Sequence, residues 1–301
     1  MKRFGMLIAA ATALHAFEYG LVPQKVGTGI YCFFGAPEAM NATNNGNMVN
    51  SCYADMGSAW LVVDSGPTYR YAAEAAAAMA KIKPQPVRYV VNTHVHDDHW
   101  LGNGYYLEQG ATLLGSRAFA AENAAAPTRM QSRISAEAYA DTVPTPPQER
   151  VASERRISTQ DGEIVIRPVA GRAHTSDDLY VYLPARRALF AGDLLFNDRL
   201  PSLRDGDING WIDALEAIER LFPDVLIGGH GYRTDRKAAA FTLAYLKQLR
   251  SEVQAVIDAG GEIDDAVKRV RMETFRDAGM YDALHASNVN SAFRTLEWGD
   301  E

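Results

Sequence analysis

Apolar positions along this chain follow two periods. Short apolar or alternating runs predict strands over residues 26–34, 47–64, 87–93, 112–116, 163–170, 178–184, 187–193 and 224–231. Apolar positions three and four apart predict helices over 68–82, 98–109, 117–125 and 208–222, the first of them rich in alanine. Residues 127–151 carry Pro127, Pro144, Pro146 and Pro147, so the second half of that stretch reads as a loop. From 235 to about 296 the pattern is helical, with breaks near Gly260-Gly261 and Gly279. Strands come first as hairpins and then alternate with helices. That order predicts an α/β architecture, with helices covering packed sheets and a helical extension at the C-terminus.

Composition narrows the classes. The chain has 301 residues, 47% of them hydrophobic, enough for one large domain or a domain with an appendage. Its formal net charge is −7, a poor match for nucleic acid or an anionic membrane. Lys2 and Arg3 precede a short apolar run, 6–14, and small residues end it near Ala16. The run is too short to span a bilayer, which takes about 20 apolar residues, so 1–16 reads as a secretory signal peptide. The expected setting is secreted or periplasmic, without stable membrane insertion. Only two cysteines occur, Cys32 and Cys52, both in strand-like text. A cross-strand disulfide and two separate buried thiols both fit.

The most informative stretch is THVHDDHW, residues 93–100, with three of the seven histidines. It follows the predicted strand 87–93, and α/β proteins place their ligand sites at such strand ends. In extended backbone His94 and His96 face the same way, and Asp98 and His99 follow as the chain turns helical. Burying this much polarity is costly unless it binds something, and imidazole with carboxylate suits zinc and similar ions. Further candidates stand after other predicted strands: His174 in AHTSDD, Asp193 in AGD and His230 in GGHG. Seven ligand candidates exceed one tetrahedral ion, so two metals are expected.

In that order, THVHDDH, AHTSDD, AGD and GGHG resemble the metallo-β-lactamase superfamily of hydrolases, and Asp64 in WLVVDSG matches its early strand-turn motif. The resemblance covers about residues 22–235 and leaves 236–301 as the helical extension. It implies a four-layered αββα sandwich with a two-metal site at one edge. By the same resemblance, His94, His96 and His174 hold one metal, Asp98, His99 and His230 hold the other, and Asp193 bridges them. The expected cofactors are two Zn²⁺ per chain, with Fe or Mn also compatible with these donors. Within the superfamily the chain looks most like the SoxH-like and quinoprotein-relay-associated periplasmic hydrolases. The best-known lactamase branch has cysteine at the Asp193 position and usually a lysine shortly after it, where this chain has Leu194-Leu195-Phe196.

The implied chemistry is a metal-bridging hydroxide attacking an ester, thioester or related small substrate, with Asp98 as ligand and orienting group. The alternatives are a true β-lactamase and a non-hydrolytic metal-binding or redox member of the fold. Arg199 and Arg204 are candidates for holding a substrate carboxylate, against the plainer reading of solvated loop cations. Trp100 reads as core, Asn103 as a brace for the histidine loop and His285 as a surface helix position.

Overall fold

The computed structural model describes residues 17–119 and 128–299. The signal-peptide reading of 1–16 and most of the helix expected over 117–125 lie outside them. Two sheets form the middle of the molecule. The first holds seven strands in chain order: β1 (Gln24–Gly27), β2 (Ile30–Phe33), β3 (Ser51–Asp55), β4 (Trp60–Val63), β5 (Val87–Asn92), β6 (Thr112–Gly115) and β7 (Glu149–Arg150). The second holds β8 (Arg155–Thr159), β9 (Gly162–Pro168), β10 (Leu179–Leu183), β11 (Ala188–Phe190) and β12 (Val225–Ile227), also in serial order.

Period-two alternation explains why two sheets face each other. Along β4, Leu61 and Val63 point into the space between the sheets, where they meet Ile166, Val181 and Phe190. Trp60 and Val62 point the other way, onto α1 (Tyr69–Ile82) and α3 (Asn103–Glu108). The second sheet does the same. Leu179 and Val181 of β10 face inward, and Tyr180 faces the outer helices. Those helices are α6 (Ile208–Glu219), α7 (Ala239–Asp258), α8 (Ile263–Arg269) and α9 (Tyr281–Trp298). The result is the four-layered helix–sheet–sheet–helix sandwich that the family resemblance implied, with helices at the C-terminus as the pattern predicted. Each fully buried Leu or Val contributes about 1.5–3 kcal/mol, so the alternation is a strong constraint on register.

Local chemistry sets the element ends. Thr68 caps α1 by accepting a hydrogen bond from the Tyr71 amide, a contact worth about 1 kcal/mol. The single helix expected over 98–109 is two short ones, α2 (Asp97–Trp100) and α3. The interruption falls at Gly102, where a Cβ would lie 2.3 Å from the Ser65 carbonyl oxygen. The stretch after Pro127 holds α4 (Arg129–Arg133) and α5 (Ala136–Tyr139) before the expected loop. Strand β8 was not anticipated. It is an edge strand rich in arginine, without the apolar run that marks a buried strand.

Cys32 and Cys52 face each other in the β2–β3 register and form a disulfide, which settles the choice left open by the sequence. Among the described residues, no helix is long and apolar enough to cross a membrane.

Candidate metal centre

β4 runs parallel to β5, and β11 parallel to β12. Their C-terminal ends open on one edge of the sandwich. Asp64 follows β4, the His94–His99 loop follows β5, Asp193 follows β11 and His230 follows β12. His174 lies between β9 and β10 at the same edge. All seven predicted ligand residues converge there, in two groups: His94, His96, His174 and Asp193, and beside them Asp98, His99 and His230. All are buried except His96, which is half-buried.

Hydrogen bonding fixes which ring nitrogens face inward. The Asp64 carboxylate accepts from the Thr93 amide at 2.8 Å, the Thr93 hydroxyl at 2.9 Å and His99 Nδ1 at 2.9 Å. Because the Thr93 hydroxyl donates to Asp64, it accepts from His94 Nδ1, 3.0 Å away. His230 Nδ1 donates to the Met48 carbonyl oxygen at 2.6 Å, and His96 Nε2 to Asp205 Oδ2 at 2.9 Å. Four imidazole protons are thus held on outward-facing partners, which leaves the lone pairs of His94 Nε2, His96 Nδ1, His99 Nε2 and His230 Nε2 turned inward.

His96 Nδ1 lies 3.1 Å from His94 Nε2 and 3.0 Å from His174 Nε2. His94 Nε2 and His96 Nδ1 are both acceptors by their outward bonds, and acceptors packed this closely repel one another unless a cation lies between them. The second group repeats the arrangement. Asp98 Oδ2 is 3.5 Å from both His99 Nε2 and His230 Nε2. Asp193 spans the two groups: Oδ2 is 3.3 Å from His174 Nε2 and 3.2 Å from His230 Nε2, and Oδ1 is 3.1 Å from His99 Nε2. His99 Nε2 and Asp193 Oδ1 are buried without a hydrogen-bond partner. These orphaned atoms and this donor set fit divalent metal ions.

The electrostatics agree. Burial, with His99 close by, pushes His94 well below the usual imidazole range, and burial also lowers His96, so both are neutral. Burial disfavours ionised Asp98, yet His99, His230 and Arg129 outweigh it and hold the carboxyl down at about 2. Asp193 is likewise held well below its normal range, burial being outweighed by His230, His99 and His94. At His99 burial opposes charging, but Asp193, Asp98 and Asp64 push the imidazole well above its usual range. A divalent ion would take the place of that proton.

Glycines let the backbones approach. A Cβ on Gly229 would lie 1.9 Å from Asp193 Oδ1, and Gly192 adopts φ +53° with its Cβ direction filled by Thr93. Asp64 itself has φ +58°, a strained conformation for a buried aspartate held by its three hydrogen bonds.

The other predicted residues separate. Arg204 is exposed and pairs with Asp205 at 2.7 Å, its guanidinium 3.3 Å from His96 Nε2. Arg199 is 5% exposed, donates to the Glu38 carbonyl oxygen and lies over the Phe196 ring, which stacks on His230. Trp100 is core and donates to the Val95 carbonyl oxygen. Asn103 does brace the loop, donating to Asn92 Oδ1 and accepting from the Ser65 hydroxyl. His285 corrects the sequence reading. It is 5% exposed, because Tyr281 stacks on it and Tyr245 bonds to it.

Three contributors were missed. Asp205 orients His96 from a loop 109 residues away, and the Met48 carbonyl orients His230 from 182 residues away. No local signal marks either. Arg129 bonds Asp97 and reaches Asp98 Oδ1 at 3.5 Å, so that Oδ2 faces the histidines. The Asp97-Asp98 doublet was the available clue.

The sequence profile of the metallo-beta-lactamase superfamily matches residues 45–230, a span from just before β3 to His230. Among solved structures, the chain is similar to the metallo-beta-lactamase from Pontibacter korlensis, with 21% identity, a TM-score of 0.59, and 75% of this chain and 99% of that one covered. It is similar to the metallo-beta-lactamase FIM-1 from Pseudomonas aeruginosa in its mono-zinc form, with 20% identity, a TM-score of 0.59 and coverage of 77% and 96%. A metallo-beta-lactamase from Hirschia baltica matches at 19% identity, a TM-score of 0.58 and coverage of 75% and 97%. These structural likenesses carry the fold, the profile carries the family, and the chain belongs to the metallo-beta-lactamase superfamily.

Proposed function

We propose that the protein is a metal-dependent hydrolase with two divalent ions, zinc by donor type, acting on an ester, thioester or related small substrate. The observation behind this reading is the inward convergence of imidazole lone pairs whose protons are tied to outward partners. His94, His96 and His174 would hold one ion, Asp98, His99 and His230 the other, with Asp193 shared. When bound, the pair supplies Lewis acidity and acidifies a water toward neutrality. The chain's own groups do the rest. Ionised Asp98 accepts a hydrogen bond from the attacking water through Oδ2 and orients it, while Arg129 holds Oδ1. Asp64 keeps His99 and Thr93 fixed. Phe196 and Trp211 pack on His174 and close one side to solvent. Elemental analysis after zinc-supplemented expression should find about two zinc ions per chain; trace metal only would defeat the proposal.

Kinship with the SoxH-like periplasmic hydrolases, export and cleavage after Ala16 belong to the same proposal. The buried Cys32–Cys52 bond supports them, because disulfides persist in oxidising compartments. N-terminal sequencing of the exported fraction should begin near Phe17, and intact Met1 on cytoplasmic protein would overturn it.

The solved neighbours are metallo-beta-lactamases by name, which favours β-lactam hydrolysis as the second reading. Against it, Arg204 is already paired with Asp205 and Arg199 is buried, so neither offers a ready site for a drug carboxylate. Losing one charge-assisted contact costs about 1.5–3 kcal/mol. Weak cephalosporin hydrolysis is expected, and kcat/KM above about 10⁵ M⁻¹s⁻¹ would make lactamase the leading reading.

A further inference from the structure

The segment between Asp193 and α6 lines the centre. Phe196 stacks on His230 at 5.0 Å and lies 5.7 Å from His174. Asp205, at the segment's far end, orients His96. The Asn197 amide donates to the His230 carbonyl oxygen and Arg199 to that of Glu38, and a further set of bonds to this segment comes from the C-terminal region, beyond the family match at 45–230. The Thr242 hydroxyl of α7 accepts from the Phe196 amide at 2.9 Å and donates to the Phe196 carbonyl oxygen at 2.8 Å. Before α9, Gly279 pairs with the backbone at both Asp198 and Leu200. From α9, Asn288 accepts from the Leu203 amide at 3.0 Å and donates to the Pro201 carbonyl oxygen at 2.8 Å. Thr242 and Asn288 are 0% and 1% exposed, so no water competes for these bonds. Backbone that has no strand or helix of its own is thus supplied with partners at three successive points.

We infer that the C-terminal helices are part of the metal centre, with Thr242 and Asn288 as positioning residues. Thr242 sets the Phe196 ring against His230 and His174. Asn288 sets the turn that delivers Asp205 to His96. This rests on the proposed metal-holding role of the cluster. A helical layer serving only to cover the sheet would need apolar contact with it, not two side chains spent on the backbone of one loop. Outer partners of metal-bound histidines typically change affinity about 10–100-fold when removed, because they fix ring orientation and basicity.

The test uses full-length protein carrying Thr242→Val or Asn288→Ala. Zinc affinity is read by competition with a chelator, imidazole nitrogens by NMR of the metal-free protein, and stability by urea unfolding. Zinc affinity is expected to fall about tenfold or more. The His230 resonances should shift in Thr242→Val and the His96 resonances in Asn288→Ala, and Thr242→Ser should restore the first. A lowered unfolding midpoint with unchanged zinc affinity and unchanged imidazole resonances would overturn the inference. If the unaltered protein bound no zinc, the hydrolase reading and the metal-centre role would fall together, while the metal-free resonances would still decide whether Thr242 and Asn288 position the His230 and His96 rings. Should Asn288→Ala not fold, Asn288→Asp keeps the acceptor for Leu203, gives up the donated bonds and is judged by the same readings.

Discussion

Among the described residues, two buried polar clusters contain histidine, and they are built on opposite principles. In the C-terminal layer, Asn288 Nδ2 donates to the Tyr245 hydroxyl at 3.0 Å, that hydroxyl donates to His285 Nδ1 at 3.1 Å, and His285 Nε2 donates to the Val270 carbonyl oxygen at 3.0 Å. Both ring nitrogens have a partner and the network is closed. At the sheet edge, each tethered histidine has one nitrogen bonded outward and the other facing its neighbours. Burial alone therefore does not separate a structural histidine from a ligand. The separation lies in whether the second nitrogen is satisfied.

The sharpest way to break this comparison is Asp193→Ala. It should lower hydrolysis by orders of magnitude and reduce bound metal while the far-ultraviolet spectrum is kept, since Asp193 spans the centre but packs no core. Full turnover with full metal content would show that Asp193 does not join the two groups.

Chelation tests the open cluster as a whole. Ligand that binds only the folded state stabilises it by about 4 kcal/mol at a thousand times its dissociation constant. The melting temperature should fall on treatment with EDTA and recover with zinc, and a Tm indifferent to both would contradict the reading.

In the closed network, His285→Ala should cost about 1–3 kcal/mol by leaving the Tyr245 hydroxyl and the Val270 carbonyl short of a partner. Its zinc stoichiometry at saturation should match that of the unaltered protein. Loss of one zinc would place His285 among the ligands instead.

The smallest effect belongs to a third network, at the solvent edge. Asp55 accepts from Lys83, Gln85 and the Gly57 amide. Partial burial opposes ionisation there, but those bonds outweigh it and lower the carboxyl. A lowered folded-state pKa stabilises the fold above the normal aspartate range and is lost as pH falls through the folded value. Asp55→Asn should therefore cost about 1 kcal/mol near neutrality, with the gap closing below about pH 4. Parallel urea-midpoint curves for the two proteins down to pH 2 would refute this.

The same contrast explains what could be read in advance. Strands between the sheets announce themselves because Leu61, Val63, Leu179 and Val181 repeat at the pleat's period, and all seven ligand candidates stand just past such strands. His285 was misplaced because a lone histidine on a helix carries no mark of what will pack against it. Strand β8 was missed because an edge strand tolerates arginine at positions an inner strand cannot. Asp205 and the Met48 carbonyl were missed for a different reason: their role exists only once distant segments meet.

The tethering of the imidazole protons also bears on how the protein matures. Four rings are aimed by Asp64, Thr93, Met48 and Asp205, none of which needs an ion in place to do so. Inward lone pairs still repel until an ion sits between them, but the tethers hold the rings near their places, so loading can follow folding, unlike small zinc domains that are unfolded until metal arrives. A vessel shaped beforehand accepts whichever ion of suitable size reaches it first, because affinity among first-row metals follows their own order more than the site's preference. Any metal this site takes up should accordingly follow the supply in the compartment where the chain completes folding, and changing that supply during expression should change the metal without changing the fold.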